Sequence, residues 1–216
     1  MVSNDTSLPG FFSATSMPDS DWWRALWPDP GRIVLSLGLR PDMEAIDLCC
    51  GDGLFTAPLA LACRHVVAID IDRGMLALAR LATLGMAKCE FVEGDAYAVA
   101  ELVQRPVDFV LMANTFHGVP DKLLLSRGVA SVLKSGGRFA IINWHRRPRE
   151  ETTVFGKPRG PKTDMRMEPS DVAAVVESAG LTLTDVVELL PYHYSAIFEK
   201  LPRTATQYDE KRRVIS

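Results

Sequence analysis

A chain of 216 residues and 23.8 kDa is long enough to form one α/β domain with a full hydrophobic core. Its formal net charge of −3 and its pI of about 5.8 argue against general nucleic-acid binding, which usually requires a basic domain. No apolar run approaches the roughly 20 residues that span a bilayer, and the first residues carry neither the basic nor the apolar stretch of a secretory signal. We therefore expect a cytoplasmic protein without integral membrane association.

The four cysteines lie in or beside apolar segments and lack the spacing of a metal site. They are Cys49, Cys50, Cys63 and Cys89. Because adjacent cysteines cannot easily form a disulfide with each other, all four are expected to be reduced thiols in the core. The cysteines therefore predict no metal site.

The first forty residues are expected to form an extension and a helical lid (1–40). Residues 1–20 are rich in Ser, Pro and Asp and are predicted to be mobile. An amphipathic segment at 21–27 follows and is stopped by Pro28-Asp29-Pro30, before a second helix at 31–38. Three interpretations remain open for the tryptophans of the first segment: closing over an acceptor, packing the helix onto the sheet, or touching a membrane surface. They are Trp22, Trp23 and Trp27.

Strands and helices alternate from residue 44 onward. Near-continuous apolar strands of this kind predict a parallel sheet that helices cover on both faces. The predicted strands lie near 44–49, 66–70, 88–93, 107–112, 137–143, 181–189 and 194–200. The predicted helices lie near 54–64, 73–84, 96–103, 121–134 and 169–179.

Residues 145–168 interrupt this alternation, and a loop of that length inside a compact domain is usually functional or disordered. Between Arg146 and Arg166 it carries seven basic residues against three acidic ones. The segment is either a solvated charged face or a surface that attracts an anionic acceptor or a lipid headgroup. The main domain is expected to span 41–203, with a charged tail at 204–216.

A glycine turn joins the first predicted strand to the first helix of the sheet. The segment Asp47-Leu-Cys-Cys-Gly-Asp-Gly contains two glycines, which allow the backbone to turn sharply and approach a ligand closely. The next strand ends in Asp70, and a carboxylate at that point can accept both hydroxyls of a ribose. A dinucleotide site would require a third glycine where Thr56 stands. The pattern predicts an adenosine-containing cofactor.

Further motifs identify the kind of cofactor. They are Ala68-Ile-Asp-Ile-Asp-Arg-Gly-Met-Leu, Glu93-Gly-Asp-Ala, Asp108-Phe-Val-Leu-Met-Ala-Asn-Thr-Phe-His and Leu133-Lys-Ser-Gly-Gly-Arg-Phe-Ala-Ile-Ile. Together with the glycine turn, they resemble the class I S-adenosylmethionine-dependent methyltransferases over roughly residues 40–200. The small-molecule branch, which includes quinone, arsenite and phospholipid-amine methyltransferases, is the most similar. Arsenite chemistry is not expected, because all four cysteines precede residue 90.

The resemblance implies a set of cofactor contacts. Asp47 would order the turn and help to hold the methionine ammonium, while Asp70 would bind the ribose and Asp95 the adenine amino group. Asn114 would lie near the methionine part of the cofactor. The full implied set is Asp47, Cys49, Gly51, Gly53, Asp70, Ile71, Asp95, Ala96 and Asn114. Cys49 departs from the family pattern, which usually has glycine there, and Asp72 is expected to cap the following helix.

Ligands of open α/β sheets bind beyond the carboxyl ends of the strands, so residues that follow those ends are candidates for the acceptor side. The candidates are His117, His145, Tyr192 and His193. For the histidines three interpretations stay open: removing a proton from the acceptor, binding a metal, or bonding to loop backbone.

The combined prediction is an α/β fold: a Rossmann-like, three-layer αβα sandwich whose seven-stranded, mostly parallel sheet has an antiparallel last strand. The predicted activity is methyl transfer from S-adenosylmethionine to a small-molecule acceptor by in-line displacement. The alternatives are a NAD-dependent oxidoreductase and a non-catalytic S-adenosylmethionine-binding domain.

Overall fold

The computed structural model describes residues 18–202. Most of the predicted mobile start (1–20) and all of the predicted tail (204–216) lie outside the described residues. Strands and helices alternate as predicted. The strands are β1 Glu44–Leu48, β2 His65–Asp70, β3 Cys89–Glu93, β4 Val107–Ala113, β5 Leu133–Trp144, β6 Thr153–Val154, β7 Lys157–Pro158, β8 Thr182–Leu189 and β9 His193–Glu199. The helices are α1 Ser20–Leu26, α2 Pro30–Ser36, α3 Thr56–Ala62, α4 Arg73–Ala82, α5 Val99–Leu102, α6 Lys122–Val132 and α7 Pro169–Glu177.

Seven strands form the main sheet in the order β3-β2-β1-β4-β5-β9-β8. β1 is the third strand in this order and pairs in parallel with β2 and β4, so that Ile46 is opposite both Val67 and Val110. β9 runs antiparallel to both β5 and β8. This arrangement confirms the predicted mostly parallel sheet with an antiparallel last strand, and it places the carboxyl ends of β1, β2, β4 and β5 at one edge.

Two large hydrophobic cores, one on each face of the sheet, hold most of the helices, and a smaller cluster holds α4. Because successive side chains of a strand point to opposite faces, Ala45 packs on one side with α2 and α3, whereas Ile46 packs on the other with α6 and α7. The first core also takes in the three tryptophans of the N-terminal segment. The result is the three-layer arrangement that the sequence predicts. Among the described residues no helix is both long and apolar enough to cross a bilayer.

The basic segment at 145–168 is built around one buried cation. It contains the small β6–β7 hairpin and two 3₁₀ turns. The Arg166 side chain is only 1% exposed, and it donates hydrogen bonds to the carbonyls of Arg147, Arg159 and Pro161 and to the Thr152 hydroxyl, at 2.9–3.1 Å. A buried charge must be hydrogen-bonded to be tolerated. Arg166 therefore ties together backbone from several points of a segment that the sequence leaves open to disorder.

Candidate active site

A cavity of about 580 Å³ opens at the carboxyl ends of the parallel strands. One wall comes from the glycine turn, the end of β2 and the turn after β3. The opposite wall comes from α1, the 3₁₀ turn after β4, the end of β5 and the basic segment. The second wall contains Trp22, Trp23, Thr115, His117, Trp144, Arg149, Arg159 and Gly160. A volume of this size lies within the usual range for small-molecule sites.

The glycine turn bends sharply because three of its residues take positive φ. The φ angles are 61° at Cys49, 55° at Gly51 and 85° at Gly53. Cys49 thus adopts a backbone conformation that glycine takes freely, which explains why a glycine would serve at this position. Gly53 also has a steric reason: a Cβ there would lie 2.8 Å from the Cα of Ala79 in α4. The turn can therefore pack directly on the helix while its backbone faces the cavity.

Asp47 is a buried carboxyl group that lines the cavity from β1. It is 2% exposed, and its Oδ2 accepts a 2.6 Å hydrogen bond from the Thr56 hydroxyl. Burial raises the pKa of Asp47 to about 7, an effect that Thr56 opposes and that repulsion from Asp70 and Asp52 reinforces. A positively charged ligand group beside Asp47 would offset this penalty. Thr56, which stands where a dinucleotide motif has its third glycine, is thus part of the site.

Asp70 ends β2 and Asp72 follows two residues later, and their carboxylates bond to different partners. The Asp70 oxygens accept hydrogen bonds from the amides of Gly51 and Asp72, both at 2.9 Å, and Asp70 and Ile71 both line the cavity. Burial raises the pKa of Asp70, while its backbone hydrogen bonds counteract the shift. Asp72 caps α4 by accepting from the amides of Gly74 and Met75, as predicted. Asp70 is thereby fixed across the mouth of the glycine turn.

Asp95 follows β3 and lies between Gly94 and Ala96, which both line the cavity. Its carboxylate accepts from the Tyr97 amide at 2.9 Å and so caps the 3₁₀ turn that leads into α5. The backbone of Ala96 is therefore held at the cavity wall.

Asn114 has buried polar atoms without partners among the described residues. It follows β4 with φ of 59°, and its amide N–H donates to the carbonyl of Ile142 at 2.8 Å. Both its side-chain oxygen and its side-chain nitrogen are buried and make no hydrogen bond, although the residue lines the cavity. Unsatisfied buried polar groups cost free energy. The arrangement suits a polar ligand that would bond to both atoms.

His117 is the one acceptor-side candidate, among the four proposed from the sequence, that lines the cavity. Its Nδ1 lies 3.2 Å from Oδ1 of buried Asn143. With Nδ1 as the donor, Nε2 keeps a lone pair. Burial lowers the pKa of His117 to about 4, so the ring is neutral at pH 7. His117 can accept a hydrogen bond at Nε2 but is a weak base.

The other three candidates lie outside the cavity lining. Tyr192 stacks on Trp144 and exchanges two hydrogen bonds with the backbone of Thr153. His193 is buried, with its ring centroid 4.1 Å from that of Trp144 and 4.4 Å from that of Trp27. The two side chains support the Trp144 ring from behind. His145 points elsewhere: its Nε2 is 2.9 Å from a Glu188 carboxylate oxygen.

The wall opposite the glycine turn contains three tryptophans and two arginines, which are Trp22, Trp23, Trp144, Arg149 and Arg159. Trp22 and Trp23 of α1 are buried and line the cavity, whereas Trp27 packs on Phe55 and His193. Sequence reasoning noted the basic segment but did not single out Arg149 and Arg159. The one available signal was the run of basic residues, which does not show which of them face inward. Among residues 18–202, no three His, Cys, Asp or Glu side chains are grouped to hold a metal.

Comparison with known proteins gives consistent results. A family described as a methyltransferase domain matches residues 46–141. A demethylmenaquinone methyltransferase of Staphylococcus aureus (strain MRSA252) is 32% identical over 114 residues, which are 51% of this chain and 47% of that protein. The chain thus spans about half the length of the curated relatives it matches.

Solved structures share the fold. An S-adenosylmethionine-dependent methyltransferase from Aquifex aeolicus superposes with a TM-score of 0.70 at 24% identity, over 82% of this chain and 93% of that one. The N-methyltransferase NodS from Bradyrhizobium japonicum WM9 has a TM-score of 0.63 at 16% identity, over 86% and 100%. DhpI in complex with SAH has a TM-score of 0.64 at 21% identity, over 84% and 87%. The chain therefore has the fold of these methyltransferases, and residues 46–141 match a methyltransferase domain.

Proposed function

We propose that this protein transfers a methyl group from S-adenosylmethionine to a small-molecule acceptor by in-line displacement. One observation carries the proposal: a single cavity joins an acidic wall with an unpaired Asn114 amide to a second wall of tryptophans and a neutral histidine. The first wall suits a cationic nucleoside, and the second suits an apolar acceptor.

The acidic wall fits S-adenosylmethionine better than a dinucleotide. Asp47, Asp52, Asp70 and Asp72 line this side of the cavity. Carboxylates favour the ammonium and sulfonium charges of the methionine part, but they would repel a pyrophosphate. Asp47 and Asn114 would hold the methionine part, Asp70 the ribose, and Asp95 with Ala96 the adenine. A NAD-dependent oxidoreductase is therefore not favoured.

S-adenosylmethionine supplies an already activated methyl group, so the residues of the chain mainly have to align the acceptor with it. Trp22, Trp23 and Trp144 would exclude water and fix the plane of the acceptor. His117 would accept a hydrogen bond at Nε2 from an acceptor O–H or N–H. Because its pKa is about 4, His117 is better suited to orienting that group than to carrying its proton away at neutral pH.

The acceptor is expected to be a small, anionic molecule in the cytoplasm. A relative is named demethylmenaquinone methyltransferase, which supports a small-molecule acceptor, and the basic segment supports negative charge on it. We assign residues 1–40 to an N-terminal extension whose helix α1 acts as a lid over the acceptor. Residues 41–203 form the methyltransferase domain in this proposal, and 204–216 the charged tail.

Calorimetric titration with S-adenosylmethionine, S-adenosylhomocysteine and NADH tests the proposal, with Asp70→Ala as the site variant. The exposed Asp42→Ala, whose ion pair with Arg40 lies outside the cavity lining, is the matched control. We expect the adenosyl ligands to bind to wild type and control but not to Asp70→Ala. Binding of NADH alone would contradict the proposal. Binding without turnover of any methyl acceptor in a broad small-molecule panel would favour the non-catalytic alternative.

A further inference from the structure

Two arginines face the acceptor half of the cavity without a charged partner. Arg149 and Arg159 both line the wall opposite the glycine turn. Within residues 18–202 neither of them forms an ion pair. A guanidinium stays protonated at any physiological pH and offers five N–H donors. Such groups at a cavity wall are suited to an anionic ligand.

Arg159 is rigidly placed while its guanidinium remains unbonded. Its amide donates to the carbonyl of Thr152 at 2.8 Å, and its own carbonyl accepts from the Thr152 hydroxyl and from Arg166, both at 3.0 Å. Its Cζ lies 5.0 Å from the centre of the Trp22 ring. The guanidinium makes no hydrogen bond within the described part of the chain, and its Nε is buried without a partner. A fixed, unbonded donor group of this kind is prepared for a ligand.

Arg149 lies on the same wall, and part of its guanidinium is already hydrogen-bonded. Its amide donates to the Thr163 hydroxyl and its Nε to the carbonyl of Gly160, both at 3.0 Å. These bonds direct its two terminal NH₂ groups, for which the described residues supply no partner. Gly160 in turn packs against Trp144, since a Cβ there would lie 2.8 Å from the ring. The arginine and the aromatic wall are therefore parts of one packed unit.

The surrounding charges leave this wall positive. Arg166 lies behind it, without a carboxylate within ion-pair distance in the part of the chain described. Asp19 also lines the cavity but is exposed, and Glu150 is exposed beside Arg149. The cavity thus has an acidic wall at the strand ends and a basic wall across from it. Two ligands would match this distribution if one placed a cation at the acidic wall and the other placed an anion at the basic wall.

We propose that Arg149 and Arg159 bind an oxyanion, a carboxylate or a phosphate, carried by the methyl acceptor, while Trp22 and Trp144 enclose its flat apolar body. This inference rests on the proposed function. Arginine matches planar oxyanions with two parallel hydrogen bonds, and it retains that geometry when stacked on an aromatic ring. Oxyanions have two sources in this cavity: the acceptor, and the methionine carboxylate of the cofactor. The acceptor is favoured because both arginines lie on the tryptophan wall.

Tryptophan fluorescence offers a test that does not need turnover, because three of the four tryptophans of the chain line the cavity. The protein is first saturated with S-adenosylhomocysteine and then titrated with benzoate, phenyl phosphate or neutral benzamide. The variants are Arg159→Gln and Arg159→Lys. Arg147→Gln, an exposed arginine of the same segment whose side chain lies outside the cavity lining, is the matched control.

We expect at least one anion to bind to the wild type about tenfold more tightly than benzamide, and more weakly at high salt. Arg159→Gln should weaken that binding by roughly 10- to 100-fold, as expected for charge-assisted hydrogen bonds. Arg159→Lys should fall between the two, and Arg147→Gln should match wild type. The affinity for S-adenosylhomocysteine should be the same in all four proteins.

Four results would overturn the assignment. Equal binding of benzamide and the anions, or binding of neither anion to a wild type that does bind S-adenosylhomocysteine, removes the subsite and leaves the proposed function intact. Loss of S-adenosylhomocysteine affinity in Arg159→Gln, with 5′-methylthioadenosine unaffected, assigns the arginine to the carboxylate of the cofactor instead. A wild type that fails to bind S-adenosylhomocysteine contradicts the proposed function, and the acceptor subsite with it.

Discussion

Replacing Asp47 by Asn should stabilise the free protein at high pH. The pKa of the buried carboxyl is raised from 3.8 to about 7. Between these values the folded protein holds a proton that the unfolded chain has released, so stability falls as the pH rises through this window. One pKa unit corresponds to ~1.4 kcal/mol, so the penalty reaches up to about 4 kcal/mol above pH 7. Asn has the same shape, can still accept from Thr56, and carries no charge.

Urea denaturation of wild type and Asp47→Asn at pH 5 and pH 8 measures this effect. The variant's advantage in free energy of unfolding should grow by about 2.5 kcal/mol between the two pH values. Asp42→Asn, at an exposed ion pair with Arg40, should stay within about 0.5 kcal/mol of wild type at both. A wild type at least as stable as Asp47→Asn at pH 8 would refute the argument from burial.

Asp47→Asn should weaken ligand binding, although it stabilises the free protein. If the ammonium of the cofactor pairs with Asp47, its binding displaces the proton, and affinity for S-adenosylhomocysteine should rise by up to about tenfold per pH unit below pH 7. Asp47→Asn should bind more weakly and lose that pH dependence. Calorimetry at pH 5.5, 6.5 and 7.5 distinguishes the two behaviours, and a variant with an unchanged pH profile would show that Asp47 does not contact the ammonium.

Three further variants test the packing of the site. Gly53→Ala should destabilise the protein by about 2–4 kcal/mol, because the added Cβ would meet Ala79. The control Gly85→Ala has a similar φ of 84° but nothing within 4 Å of its Cβ, so it should lower the free energy of unfolding by only about 1–2 kcal/mol. Equal losses in urea denaturation would contradict the steric reason. Asn114→Ala should change stability by less than about 1 kcal/mol yet weaken S-adenosylhomocysteine about tenfold, because the amide is unpaired in the free protein; calorimetry that finds normal affinity would exclude that contact. Arg166→Ala should lower the free energy of unfolding by at least about 3 kcal/mol and speed amide hydrogen exchange at 152–159. Unchanged exchange at these residues would mean that other contacts hold the segment.

Local signals in the sequence account for the fold and for the carboxylates that follow its parallel strands. Apolar strands, capping residues and glycine turns act over a few residues, so the order of elements can be predicted without tertiary information. Asp72 illustrates this, because a helix cap needs only its own next two or three residues. The placement of Asp47 and Asn114 at the cavity follows in a similar way, because each lies at or just after the carboxyl end of a central parallel strand, and such ends meet at one edge. The cofactor contacts expected of them come from the resemblance to the methyltransferases.

The proposed acceptor side depended on the tertiary structure, because there the direction of each side chain decides whether it borders the cavity. Trp144 and His145 are successive residues at the end of β5, so the pleat sends them to opposite faces: Trp144 meets His193, and His145 meets Tyr194. Position near a strand end could not tell which face borders the cavity. The inward arginines were equally hidden, since only the folding of 145–168 around Arg166 turns Arg149 and Arg159 toward it. The sequence by itself determined the sheet and the carboxylates at its edge, because these follow from local patterns, whereas long-range packing decided which rings and cations complete the cavity.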